Sequence, residues 1–433
     1  MSEENTAKLS LPGSIALGTG VMIGAGIFAL VGQVAGIAGD LMPLAFLAAA
    51  VVVAFSAYSY AKYGSANPSS GGIAMQLKDA YGPGVIAGTF SLFMYVSMVI
   101  AESLLGRTFG TYLLRPFGLE DSAVLVPALG VAAIAAATIV NIVGNRAVER
   151  SATVTAVLKI VGIAVLAVGG LVTAGFSSVT RIASGDYEPP DQGWLGFLAA
   201  VTLCVLAYKG FTTITNQGAD MERAESTLPR SIAISIALCT VLYLLIAVSI
   251  ASSLSPSEIA DARDYALAAA AEPLFGGVGV GLTIAIAIIA TLSGLLASLF
   301  SVSRLHQMLT SMGQAPTLPK SVPHRSLLLT AGLAIAITAL FDLSQIASMG
   351  AVLYLAMDIV VHWGVIRHQR RSLNAKPWIP TVAIVLDVAI LSAFVVVKAE
   401  QDALPLIVAA AIAVVIAFGQ VWVLRRRKAS EER

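Results

Sequence analysis

Apolar runs of about 20 residues recur from one end of this chain to the other, and they constrain its fold more than any other feature. Lipid offers no partner to a backbone N–H or C=O, so a run of that length crosses a bilayer as a helix that satisfies its own backbone. Twelve spans are predicted, at 13–38, 41–62, 84–113, 122–143, 149–176, 194–219, 230–252, 275–303, 326–341, 344–366, 379–398 and 403–424. The 433 residues are 57% hydrophobic and 12% charged. That is about half the charge of a soluble domain, and the mean hydropathy is +0.86. An all-α polytopic membrane protein is expected, with the lipid bilayer as its first partner. The polar, acidic start MSEENTAKLSLPG lacks the pattern of a cleaved signal peptide. A net charge of +1 and the lack of a basic domain argue against a nucleic-acid partner.

Charge placement orients the spans. With the N-terminus inside, most of the 26 Lys and Arg fall in cytoplasmic segments. Arg115, Arg181, Arg263 and Lys398 fall outside, and Arg107, Lys159 and Lys209 lie within spans. This bias follows the positive-inside rule and places both termini in the cytoplasm. Residues 1–10 and the basic segment 425–433 are then cytoplasmic tails. The segment 256–271 opens with a Ser-Pro cap and is expected to form an amphipathic external helix.

Two spans carry breaks. The first holds Gly18, Gly20, Gly24 and Gly26 in LGTGVMIGAGIF, and the sixth is interrupted at Ala207, Tyr208, Lys209, Gly210 and Phe211. Broken helices at corresponding places in two halves point to a transporter's substrate site. The breaks recur five spans apart, in spans 1 and 6, which suggests repeats at 11–176 and 192–371. An odd span count inverts the second repeat relative to the first, and helices 11 and 12, at 379–424, fall outside it. The pairs Gly20/Gly24 and Gly32/Gly36 also fit tight helix packing. An unwound backbone around Ile23, Gly24, Ala25, Gly26 and Ile27 would offer N–H groups to a carboxylate and carbonyls to an ammonium, a set that suits a zwitterion.

The charges inside spans are the remaining candidates. Lys159 follows Arg150 by nine residues, about 13 Å of helix, which exceeds the reach of a snorkelling side chain. It is a candidate proton-exchanging amine. Lys209 sits inside the second break, either paired with a buried acid, Glu102 or Asp358, or facing an anionic substrate group. Asp387 is a third acid within a span, and Asp358 precedes His362 by the four residues that allow pairing on a helix. The histidines His306, His324, His362 and His368 sit singly near cytoplasmic ends, and no pair has metal-ligand spacing. No metal and no cofactor is expected. Cys204 and Cys239 read as small buried hydrophobes. No nucleophile–histidine–acid set, zinc-protease helix or phosphate loop occurs, so an enzyme is not expected.

Four stretches resemble the amino acid–polyamine–organocation (APC) permease superfamily, within it the cationic-amino-acid-transporter-like bacterial branch. They are GVMIGAGIF, NPSSGGIAMQLKDAYGP, LAYKGFTTITNQGADMERAESTLPRSI and SRLHQMLTSMGQAPTLPKSVPHRS. The resemblance implies a leucine-transporter-like fold of five-plus-five inverted repeats with helices 1 and 6 unwound. It implies that Ile23, Gly24, Ala25 and Gly26 hold a substrate carboxylate, with carbonyls near Ile23 and Ala207 at the amine. It places Lys159 where sodium-coupled relatives hold a sodium ion, against span 1, with Gly20 close and hydroxyls such as Ser293 or Ser298 nearby. Three positions depart from the family pattern: Lys209 replaces an apolar residue, Thr212 an acid and Ala74 an aromatic. Lys209 shifts the expected substrate toward acidic amino acids or organic anions.

The resulting expectation is a proton-coupled permease of a bacterial inner membrane that moves amino acids or related solutes by alternating access. The alternatives are an amino-acid/organic-anion exchanger and a membrane ligand sensor on the same scaffold. The sequence leaves the oligomeric state unspecified.

Overall fold

In the computed structural model of the protein, residues 8–431 are described apart from 70, 144, 145, 191, 317 and 320. The chain runs α1 (Leu11–Ala38), α2 (Met42–Ala66), α3 (Gly72–Tyr81), α4 (Val85–Leu114), α5 (Leu125–Val143), α6 (Arg146–Ala174), α7 (Ser177–Ser184) and α8 (Gly193–Tyr208). It continues α9 (Thr212–Thr215), α10 (Ala224–Ser253), α11 (Pro256–Asp261), α12 (Ala266–Ser311), α13 (Arg325–Leu340), α14 (Leu343–Gly364), α15 (Trp378–Gln401) and α16 (Leu404–Glu431). Among the described residues ten segments are long and apolar enough to cross a membrane. Leu11–Gly24 and Arg325–Leu340 are shorter apolar helices.

Local chemistry sets several boundaries. Ser10 caps α1 by accepting the Gly13 N–H, and Pro12 occupies the first turn, where its missing N–H costs nothing. Gly39, at φ 55°, turns the chain between α1 and α2 in a conformation that a side chain resists. The expected external helix at 256–271 is corrected. A Ser255–Glu258 capping box starts α11, but that helix ends at Asp261 and residues from Ala266 belong to the long α12. The break falls there because a turn at 262–265 interrupts the helix, while Gly276 (φ 61°) kinks α12 instead of ending it. Helices α3 and α7 lie outside the predicted spans.

Packing puts α1 and α8 at the centre. Helix α1 rests on α6, α8, α10 and α12, and α8 also meets α2 and α15. In the apolar window of Gly193–Thr215, 83% of the residues are buried, against 11% in that of Leu404–Arg425. Helix α16 is therefore peripheral, with Val415, Phe418 and Trp422 exposed. A short β-bridge ties the start of the chain to the segment after the sixth span. Leu9 N–H donates to Asp220 O at 2.7 Å, and Glu222 N–H donates to Leu9 O at 3.0 Å.

Candidate functional site

The interruption in the sixth span stands where the sequence places it. Helix α8 ends at Tyr208, the backbone tightens into a 3₁₀ turn over Lys209–Phe211, and α9 resumes at Thr212. The turn retains right-handed dihedrals, so it is a tightening and not an unwinding. Threonine hydroxyls serve its carbonyls. Thr212 Oγ1 donates to Lys209 O at 2.9 Å, Thr213 Oγ1 to Gly210 O at 2.7 Å, and Thr215 Oγ1 to Thr212 O at 2.7 Å. The run Thr212-Thr213-Ile214-Thr215 was the signal for this, since hydroxyls can replace lost ladder bonds where water is absent.

The glycine run does not interrupt the first span, which corrects the expected unwinding of helix 1. Helix α1 is continuous from Leu11 to Ala38. Its glycines serve close approach instead. A Cβ on Gly26 would lie 2.8 Å from Ala207 O and 2.4 Å from the Tyr243 hydroxyl, and one on Gly24 would lie 3.1 Å from Ala290 O. From the other side, a Cβ on Gly210 would lie 2.6 Å from Met22 N. The Tyr243 hydroxyl bridges the two helices, 2.7 Å from Met22 O and 3.2 Å from Ala207 O. Lys159, 3% exposed on α6, donates from Nζ to Gly20 O at 3.1 Å.

Beside the 3₁₀ turn lies a cavity of about 40 Å³, room for about three waters. Val21, Ser97, Ala207, Lys209, Gly210 and Ser298 are among its lining. Lys209 is buried, donates to the Ser97 hydroxyl and stands 5.4 Å from the Tyr354 ring centroid. The Ser97 hydroxyl in turn donates to Gly350 O at 3.2 Å. Ser298 donates to Glu102 Oε1, while Glu102 Oε2 is buried without a hydrogen-bond partner. Glu102 and Lys209 act on one another electrostatically.

The other candidate residues separate. Ile23 and Ile27 are wholly buried in the core, and the side chain of Ala25 lies outside the described residues. Val21 is the cavity's contribution from α1. Tyr208 packs on Tyr243 at 5.0 Å between ring centroids, and Phe211 packs on Tyr60 at 5.4 Å. The two serines expected near Lys159 are engaged elsewhere. Ser293 donates to Ile289 O at 2.6 Å, and Ser298 serves Glu102. Arg107 Nε donates to Thr338 O at 2.8 Å.

Asp358 does not pair with Lys209. It accepts from Tyr60 and, at 2.7 Å, from Ser56. Its oxygen Oδ1 lies 3.4 Å from His362 Nε2. His362, in the last turn of α14, is fully buried between Asp358 and Asp387. The i,i+4 spacing foretold two of the three residues of this group. Asp387 arrives from α15, too far along the chain for any spacing rule. Among the described residues Asp358, His362 and Asp387 form the one group able to hold a metal ion.

Comparison with known proteins adds four findings. A family model described as amino acid permease matches residues 9–421. The inner membrane transport protein YbaT of Escherichia coli (strain K12) is 31% identical over 82% of this chain and 82% of its own. The serine/threonine exchanger SteT of Bacillus subtilis (strain 168) is 27% identical over 68% of this chain and 66% of its own. Among solved structures, an Eremococcus coleocola manganese transporter superposes with a TM-score of 0.65 over 98% of this chain and 95% of that one. At 12% identity, that likeness concerns the fold.

Proposed function

The chain belongs to the amino acid permease family, multi-pass membrane transporters of the amino acid–polyamine–organocation superfamily, and on that premise we propose a proton-coupled permease for a small amino acid or organic anion. The observation that carries the reading is the cavity at the 3₁₀ turn. It joins the interrupted α8 to α1, α4, α12 and α14, with Lys209 as its cation. Ala207, Lys209 and Gly210 at its wall are buried, so the site is covered by packed side chains in this conformation. Solute would enter by a rearrangement of α1 and α8 against the α4–α12 layer, as alternating access requires.

Twelve crossings are the natural reading of the ten long apolar segments. The 41-residue segment Gly26–Ala66 contains the Gly39 turn and supplies two crossings, the first of them completing α1. Helix α13, with 16 residues, spans about 24 Å and crosses as a short helix. The first five crossings and the next five then form inverted repeats, with the termini on the cytoplasmic side of a bacterial inner membrane.

Lys159 is the proposed proton carrier. A buried ammonium costs about 2.5–3.5 kcal/mol in a membrane interior, and its contact with Gly20 O links its charge to the position of α1. Loss of the proton weakens that bond and frees α1 to move. The test is uptake of radiolabelled amino acids into proteoliposomes under an imposed pH gradient. Lys159→Ala should lose at least tenfold of the gradient-driven rate while keeping counterflow exchange. Sodium-dependent uptake, or an unchanged gradient response in the variant, would defeat the proposal.

Lys209 is the proposed selector. Its ammonium faces the cavity with one hydroxyl partner, so it suits a substrate carboxylate beyond the α-carboxyl. In a thermal-shift screen of purified protein, Lys209→Ile should reorder the ligands, with acidic ones losing most. A uniform loss across all ligands would assign Lys209 a structural role. The likeness to a serine/threonine exchanger favours exchange as the second reading, and it is distinguished by uptake that needs internal substrate.

A further inference from the structure

A second buried polar centre lies between α2, α14 and α15, apart from the cavity. His362 Nε2 stands 3.4 Å from Asp358 Oδ1 and 3.6 Å from Asp387 Oδ2. The three side chains offer ligand atoms within 4.8 Å of one another, and all three residues have 0% exposure. Both separations exceed a good N–H···O hydrogen bond. Neither oxygen of Asp387 has a hydrogen-bond partner, and neither does His362 Nε2. Polar atoms this deeply buried are costly when unpaired.

The distances have a simple alternative meaning. Four ligands at about 2.0–2.2 Å in a tetrahedron stand about 3.3–3.6 Å from one another. The charges agree, because a divalent cation with two carboxylates and a neutral imidazole sums to zero in a medium that penalises net charge. The surrounding residues also do what the neighbours of a metal site do. Tyr60 donates to Asp358 Oδ1, and Ser56 donates to Oδ2 at 2.7 Å. The Ser59 hydroxyl lies 2.8 Å from His362 Nδ1. With Nδ1–H donated to Ser59, the Nε2 lone pair points at the two carboxylates. We propose that Asp358, His362 and Asp387 bind a divalent cation of zinc type, which ties α15 to α2 and α14. One imidazole and two carboxylates favour zinc over calcium or magnesium, which prefer all-oxygen shells. Three protein ligands leave a fourth position for water.

This site does not depend on the transport reading. Two rings link it to the cavity: Tyr60 meets Phe211 of the 3₁₀ turn, and Tyr354, which interacts with Asp358, lies 5.4 Å from Lys209 Nζ. Complete burial implies slow exchange of the ion. The test uses the full chain, free of any polyhistidine tag, stripped with a chelator in detergent and incubated with zinc chloride. After gel filtration, elemental analysis should find one zinc per chain, with a raised melting temperature. Asp387→Asn and His362→Gln should each weaken zinc binding at least tenfold in competition with a chromogenic chelator. Cobalt(II) loading of the native chain should give the visible bands of a four-coordinate ion, a readout that stands even if a variant fails to fold. Zinc retained equally by both variants would overturn the proposal, as would a native chain that takes up neither metal. A metal-free chain whose melting temperature follows pH would overturn it in favour of a proton shared within the group.

Discussion

Helices α1 and α8 carry similar sequence signals and answer them differently. Both are apolar, both place small residues near mid-span, and they pack against each other. Helix α8 loses its regular turn at Lys209–Phe211, whereas α1 keeps its turns through four glycines. The difference lies in what stands opposite. Gly24 and Gly26 of α1 face backbone, with Ala290 O and Ala207 O where their side chains would be, and Gly18 faces the Ile214 side chain. That close approach gives the helix a packing reason to remain a helix. The turn in α8 has threonine hydroxyls to take over its carbonyls, so the tightening leaves few polar groups stranded. Glycine content alone therefore does not decide whether a membrane helix breaks. Available donors and the surface of the neighbouring helix decide it.

That contrast can be broken by substitution. Gly26→Val should have the largest effect, because its Cβ would press on Ala207 O and the Tyr243 hydroxyl. Overpacking against backbone costs about 1–3 kcal/mol, read as a fall in the melting temperature of the detergent-purified protein, with uptake lost. A Gly26→Val protein with native stability would show that the two helices are not held at this distance. Tyr243→Phe comes next, since it removes the hydroxyl that lies between Met22 O and Ala207 O. One such bond contributes about 0.5–1.5 kcal/mol, and scanning calorimetry measures the loss. Gly36→Ala should have the smallest effect and the opposite sign. Nothing lies within 4 Å of a Cβ there, and alanine favours a helix over glycine by about 0.5–1 kcal/mol. Destabilisation by Gly36→Ala would mean that Gly36, like Gly26, faces a partner.

The apolar runs made the helices legible, because a membrane leaves a chain few ways to satisfy its backbone. The interruption at Lys209 was legible for the same reason, since a lysine and a glycine cannot both sit quietly in mid-span. The glycines of α1 were ambiguous, as close packing and unwinding draw on the same residue. Only the position of Ala207 O and Ala290 O resolves them. The lining of the cavity was half legible. Ala207, Lys209 and Gly210 follow from the break, but Ser97 and Gly350 belong to helices whose rotation no periodicity reveals. Asp387 illustrates the limit, because its meaning depends on α15 crossing α14 at the level of His362. Pairing rules along one helix found Asp358 and His362 and could not extend to a third helix.

The bridge at Leu9 has a mechanical consequence. Two backbone hydrogen bonds clip the start of α1 to residues 220–222, just past the interrupted span. The N-terminal end of one central helix and the C-terminal end of the other thus form a single clasp on one face of the protein. Neither end can swing outward alone without giving up bonds of about 1 kcal/mol each. Arg304, 3.7 Å from Asp220, extends the clasp to α12. A path opening toward that face must unfasten three elements together, so a change at any one of them is felt at the mouth of the site before it reaches the middle.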